Sequence, residues 1–214
     1  MPKGVQVQIL FRAPKRCEMN ELEYPKNATD EEKKIDWQKI AEISDEDFGF
    51  DSPKEKTGKI RFDVRILLLN DKNEICVIKS RKHGFLQMPG GGIEDGESII
   101  EALERETEEE TGWLISDIEP IGYVLQKRED IRNRLDFDCD ISYVFKASPK
   151  EQIKTNYMDD EIEEGFMPIW IDLDNFILEQ EKNEGKIENY GGCFSNRRDI
   201  LVSKYFKKIL NSKI

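Results

Sequence analysis

Between Gly91 and Trp113 the chain sets nine acids, Glu94, Asp95, Glu97, Glu101, Glu104, Glu106, Glu108, Glu109 and Glu110, against one base, Arg105. They follow a glycine-rich loop, Gly90-Gly91-Gly92. Two kinds of chemistry are open to them: a solvated acidic face, or a set of carboxylates converging on a cation. Helical geometry separates the two. Ser98 with Glu101 makes a capping box and Gly112 a C-terminal stop, so the spacing predicts a helix between them. At about 100° of rotation per residue, Ile99, Ala102 and Leu103 define the buried stripe. Glu101, Glu104 and Glu108 then lie opposite it, while Glu106, Glu109 and Glu110 fall on or beside it. Carboxylates that continue an apolar stripe are half-dehydrated and repel one another, which calls for a cation or paired bases. At i, i+3 and i+4 these three come within reach of one another. An all-oxygen donor set suits a hard ion, Mg2+ or alternatively Mn2+.

The rest of the composition bounds the setting. A chain of 214 residues holds one core-bearing domain plus an extension, or two small domains. Its net charge of -12 argues against broad binding to nucleic acid or an anionic membrane, and leaves room for a local basic pocket. Cys17, Cys76, Cys139 and Cys193 are widely spaced with no C-x-x-C pair, which argues against zinc and a disulfide framework and for a reducing, cytoplasmic setting. No apolar run approaches the roughly 18 residues that span a bilayer.

Residues 1–58 read as an N-terminal extension. Residues 1–18 are locally basic, with Val5–Ile9 alternating like an edge strand, and Met19 offers an alternative start that would leave them outside the fold. Thr29 and Glu32 make a second capping box, and Trp37, Ile40, Ala41 and Ser44 share a helical face, so a helix is expected over 28–44. That segment is read as packing Trp37 onto the domain; a lid or dimer arm, and hence a homodimer, stays open. The main domain runs over 59–214. Strands are expected at 60–69, 74–79, 85–88, 123–126, 138–146 and 167–172, with helices at 174–182 and 196–211. Strands interrupted by helices point to an α/β (α+β) architecture, a mixed central sheet covered on its faces by helices.

Gly91, Glu97 and the run Arg105-Glu106-Thr107-Glu108-Glu109-Glu110-Thr111-Gly112-Trp113 resemble the Nudix box, G-x5-E-x7-R-E-U-x-E-E-x-G-U, in every fixed residue. Two aliphatic positions depart from it, Thr107 and Trp113. Thr107 sits at the margin of the buried stripe, where a partly polar residue is tolerable, and Trp113 asks for a wider gap against the sheet. The preceding Gln87-Met88-Pro89-Gly90 is similar to the usual entry of that family.

The resemblance implies an α/β/α sandwich. It also implies divalent-cation-dependent hydrolysis of a nucleoside diphosphate linked to another moiety. Metal-ligand positions would fall on Glu106, Glu109 and Glu110 with the carbonyl of Gly90, and Arg105 would orient the carboxylates. Glu97 would support the site or act as base. A further downstream acid is expected among Glu161, Glu163 and Glu164, with Glu163 or Glu164 favoured. For phosphate contacts, Arg65, Arg81 and Arg128 are candidates. Nucleotide sugars, ADP-ribose, modified nucleoside triphosphates and 5′-capped RNA all remain open as substrates, long RNA being disfavoured by the acidity. The competing class is a non-catalytic sensor of the same fold that binds a nucleotide metabolite. Such a protein is expected to have lost ligand carboxylates, and here all three are present.

Overall fold

The computed structural model describes residues 22–50, 59–128, 137–153, 163 and 165–212. In chain order the elements are α1 (Asp30–Lys33), β1 (Lys39–Ser44), β2 (Lys59–Leu68), β3 (Glu74–Ser80) and β4 (Leu86–Gln87). They continue as α2 (Ile99–Thr111), β5 (Trp113–Lys127), β6 (Phe137–Gln152), β7 (Phe166–Asp172), α3 (Leu173–Asn183) and α4 (Tyr190–Ser212).

Two sheets form the middle layer. The larger has the order β1-β5-β6-β2 and is mixed: β5 and β6 are antiparallel, while β1 joins β5 and β2 joins β6 in parallel. The smaller, β4-β3-β7, is antiparallel, and an isolated bridge from Leu69 to Ile75 links β2 to β3. Period-two alternation distributes β2 between the two faces. Val64, Ile66 and Leu68 pack with Ile99, Ala102 and Leu103 of α2, whereas Leu67 packs with Phe176 and Ile177 of α3 and Phe194, Val202 and Phe206 of α4. Helices therefore cover both faces, the sandwich expected from the strand and helix order.

The helix expected over 28–44 is corrected. Thr29 and Glu32 do form their capping box, but α1 lasts one turn, and Lys39–Ser44 is the parallel edge strand beside β5. The apolar residues that suggested one helical face go to opposite sides of the sheet. Trp37 packs against Tyr143 and Phe145 in the α2 core, whereas Ile40 and Ala41 pack against the α3/α4 core. A strand can divide them in this way and a single helical stripe cannot. Val5–Ile9 and Met19 lie outside the described residues.

Other boundaries shift, among them the end of β6, which runs to Gln152 instead of 146. β5 begins ten residues before the expected 123, because register irregularities absorb Pro120, Gly122 and the acids that break its alternation. α4 starts at Tyr190 instead of 196, running through Gly191 and Gly192, which weaken a helical reading of the sequence. No helix among the described residues is long and apolar enough to cross a membrane.

Candidate active site

The carboxylate helix is the best-specified element of the site. Ser98 is the N-cap, its hydroxyl accepting the Glu101 amide, while the Glu101 side chain accepts the Ser98 amide at 2.8 Å. Gly112 closes the helix in the left-handed conformation, φ 71°. The acids divide as the helical rotation predicts: Glu101, Glu104 and Glu108 are exposed, Glu106 and Glu109 half-buried, and Glu110 buried. Thr107 is fully buried, further in than a marginal position would place it. Its hydroxyl donates to the Leu103 carbonyl at 2.6 Å, so the polar group is satisfied inside the helix. Trp113 meets Trp170 of β7 edge to face at 6.1 Å, filling the gap between helix and sheet.

Arg105 organises the carboxylates. Its Nε and Nη2 make a fork on Glu97, at 2.6 and 3.0 Å, and Nη2 also donates to the Gly92 carbonyl at 3.0 Å. Its Nη1 donates to Glu106 at 2.9 Å and Glu109 at 3.1 Å. The Arg105 fork, first of all, holds the Glu97 carboxyl below its usual range, and Arg105 itself is held above its ordinary value chiefly by Glu97. Glu106 moves the other way, because burial raises it more than Arg105 and Arg65 lower it, and Glu109 adds repulsion.

The glycine loop is fitted to these side chains. Glu110 accepts the Gly90 amide at 2.7 Å. The Pro89 and Gly91 carbonyls accept the Ile66 and Val64 amides of β2, at 3.1 and 3.0 Å, a pairing that leaves out the Gly90 carbonyl between them. A Cβ on Gly91 would fall on the Glu106 carboxylate, so glycine here is what lets the acid lie against the loop. Three carboxylates, Glu97, Glu106 and Glu109, thus gather around a single guanidinium, while Glu110 holds the amide of the adjoining loop. Among the described residues no three acids are already closed into a metal cage, since Arg105 ties Glu106 to Glu109 and Glu110 is turned to the Gly90 amide. The donor set nevertheless fits a hard divalent ion: it is all oxygen, its negative charge exceeds what Arg105 balances, and burial penalises that charge.

The neighbouring Cys76 is poorly placed for thiol chemistry. Burial first, and Glu110 second, push its thiol up to about 12.

Beside the loop opens a cleft of about 900 Å³, lined among others by Arg61, Asp63, Arg65, Arg128, Asp140 and Arg198. Arg61 reaches Asp63 at 3.3 Å and Asp140 at 3.9 Å, and Arg65 reaches Asp63 at 3.6 Å. Arg128 pairs with Asp140, and Arg198 with Asp199 at 2.9 Å. The other Asp199 oxygen accepts the Met88 amide at 2.8 Å, which fastens α4 to the entry of the glycine loop. Carboxylate partners hold these guanidiniums in fixed orientations while leaving further N–H donors for a ligand.

Of the candidate phosphate contacts, the structure brings Arg65 and Arg128 to this cleft. Arg81 is not part of its lining; Arg81 lies against Met167 and Gly165 instead. Glu163 is exposed and pairs with Lys82 at 3.6 Å; Glu161 and Glu164 lie outside the described residues. Glu163→Gln is expected to leave turnover within about twofold, as befits a rim ion pair; steady-state kinetics on the single variant checks this. Arg61, Asp63, Asp140, Arg198 and Asp199 were not singled out from the sequence as site residues. The signal for the first two was there, since Arg61, Asp63 and Arg65 occupy alternate positions of β2 with Phe62, Val64 and Ile66 facing the other way.

The NUDIX domain model matches residues 59–190, more than half of the chain. An RNA pyrophosphohydrolase from Ruthia magnifica subsp. Calyptogena magnifica is 44% identical over 58 residues, 27% of this chain and 32% of that protein. The 8-oxo-dGDP phosphatase NUDT18 of Mus musculus is 34% identical over 77 residues, 30% of this chain and 24% of that protein. The matches thus span about a third or less of the length of these relatives. Among solved structures, a MutT from a study of the Aliivibrio salmonicida and Vibrio cholerae proteins shares 22% identity, covering 66% of this chain and 98% of its own, with a TM-score of 0.44. A NUDIX hydrolase from Nitrosomonas europaea shares 20%, covering 65% and 89%, with a TM-score of 0.46. With the box residues gathered at the glycine loop and the family model spanning the sheets and helices around them, the chain belongs to the Nudix family.

Proposed function

We propose that the protein is a divalent-cation-dependent hydrolase that cleaves the diphosphate bond of a nucleoside diphosphate joined to another moiety: a nucleotide sugar, ADP-ribose or a modified nucleoside triphosphate. One observation carries this reading: Glu106, Glu109 and Glu110 are gathered with Arg105 against a glycine loop, beside an arginine-lined cleft of about 900 Å³. That volume falls within the range of small-molecule sites. Mg2+ is the ion proposed, with Mn2+ as the alternative. Glu106, Glu109, Glu110 and the Gly90 carbonyl would hold it. When bound, the cation draws charge from the diphosphate oxygens and acidifies a water to supply the nucleophile.

The chain's own groups divide the remaining work. Arg105 keeps Glu106 and Glu109 side by side in a partly dehydrated setting. Glu110 fixes the Gly90 amide and with it the direction of the loop. Arg61 and Arg65, anchored by Asp63, offer donors to phosphate oxygens entering from the cleft, and Arg128 does so further along. Glu97 is locked in a fork on Arg105 and held below its usual range, which makes it a poor proton acceptor and favours its supporting role. The two curated relatives act, by their names, on RNA pyrophosphate and 8-oxo-dGDP, both diphosphate-containing, which is in keeping with the reaction class.

The test is phosphate and nucleotide release from a panel of diphosphate-linked nucleotides with Mg2+ or Mn2+, with and without EDTA. It is run beside a Glu109→Gln/Glu110→Gln variant. Cleavage that needs the cation and disappears in the variant is expected. Cleavage that survives in the variant would overturn the assignment. Tight binding of one nucleotide with no turnover of any would favour the sensor.

A further inference from the structure

Residues 22–44 lie outside the segment that matches the family model, yet one buried side chain among them reaches the carboxylate helix. Glu32 is 4% exposed. One of its oxygens accepts the Thr29 amide at 2.7 Å, completing the α1 capping box. The other accepts the Ile100 amide of α2 at 2.8 Å, across 68 residues of chain. The first amides of a helix have no partner within it, so this carboxylate serves two helix starts at once. Its negative charge also lies at the positive end of α2, where it is favoured.

Glu32 is itself tied down. Its backbone carbonyl accepts the Trp37 indole at 3.1 Å, and Trp37 packs tilted against Tyr143 and edge to face against Phe145 of β6. The Tyr143 hydroxyl donates back to the Glu23 carbonyl at 2.6 Å. From Trp37 the chain passes directly into β1 and the central sheet. The carboxylate is therefore presented by a segment anchored at several points, and it fixes the start of α2 relative to the sheet.

What stands at that start matters for the site. Ile100 is two residues past the N-cap Ser98, and Glu97 precedes that cap. Glu97 carries the Arg105 fork, and Arg105 carries Glu106 and Glu109. Loosening the first turn of α2 would loosen Glu97, and through Arg105 the spacing of the acids proposed to hold the cation.

We infer that Glu32 is a positioning residue for the cation cradle, acting through the first turn of α2. It makes residues 22–44 a working part of the domain instead of an appendage. The inference rests on the cation reading above, and its test does not depend on turnover.

Glu32→Gln keeps the shape of the side chain and removes its charge and one acceptor. Three measurements on the full chain are compared with wild type: the Mn2+ dissociation constant, amide exchange at Ile100, and the melting temperature. Thr29→Ala, which weakens the α1 cap and leaves the Glu32 carboxylate on Ile100, is the structural control. For Glu32→Gln, Mn2+ binding at 25 °C is expected to weaken by about threefold to tenfold, below the tenfold to hundredfold typical of groups that touch a ligand directly. Ile100 exchange should accelerate by about tenfold. Thr29→Ala should leave the Mn2+ constant unchanged even where it lowers the melting temperature. A Glu32→Gln protein that melts earlier but binds Mn2+ like wild type would overturn the positioning role, as would unchanged exchange at Ile100. Absence of Mn2+ binding in the wild type would overturn the cation reading and this inference with it, and that outcome is recognised without any variant.

Discussion

Arg105→Ala is expected to lower kcat/KM by about 10²-fold and to weaken cation binding by about tenfold to hundredfold, the range seen when the group that orients metal-binding side chains is removed. One guanidinium makes five hydrogen bonds here, to three carboxylates and one carbonyl. Without it Glu106, already raised by burial and by Glu109, has only the more distant Arg65 to favour its ionised form. Two acids that must act as a pair would then repel and turn apart. Removing one partner of a fully buried ion pair costs about 3–5 kcal/mol. Arg105 is 25% exposed, so solvent screening reduces the loss, and about 1–3 kcal/mol of cation-free stability is expected from urea unfolding. Arg105→Lys should recover part of the stability and little of the activity, because an ammonium is a point charge and cannot span Glu97, Glu106 and Glu109 as a planar fork does. A lysine variant as active as wild type would show that charge alone matters, contrary to the geometry.

Helical rotation makes α2 legible in the sequence, because its signal is local. Every residue needed to define the buried stripe lies within the helix itself, and the cap and stop residues flank it. The division of the acids followed. Segment 28–44 misled the same method. Its apolar residues have helical spacing, but β5 offers an open strand edge, and pairing with it sends Trp37 to one core and Ile40 and Ala41 to the other. That information sits some 80 residues further along the chain.

The cleft was legible only in part, for a related reason. Arg65 and Arg128 stood out as bases near the box, whereas Arg198 and Asp199 gain meaning from α4 folding back over β2 and the loop at Met88. Buried ion pairs between distant segments leave no periodic trace in one sequence. Arg61 and Asp63 did leave one, as charges on alternate positions of a strand whose other face is apolar. In a buried strand that pattern marks a partnered network, and here the ion-paired Arg61, Asp63 and Arg65 also line the cleft.

Gly90 and Gly91 allow fold and activity to be separated by two neighbouring substitutions. Gly90 has φ +128°, a conformation that side-chain-bearing residues rarely adopt, and a Cβ there would overlap the Val64 carbonyl oxygen. The obstacle is backbone of β2, held on both sides by the Val64 and Ile66 amides, so it cannot retreat without breaking the pairing of loop and strand. Gly90→Ala is therefore expected to destabilise the protein by at least about 3 kcal/mol, strain and a displaced strand acting together, read as a lower urea midpoint. At Gly91 φ is not in the positive region, and the obstacle is the end of a side chain, the Glu106 carboxylate. That group can swing aside at little cost to the fold, but it then leaves Arg105 and the place where its oxygen would serve a cation. Gly91→Ala should fold with a loss of about 1 kcal/mol or less, and its kcat should fall by at least about tenfold. If the two variants lost stability and activity in equal measure, the loop would be only a structural turn. If Gly91→Ala alone kept its fold while losing cation affinity, the glycine would be serving the carboxylate that lies against it.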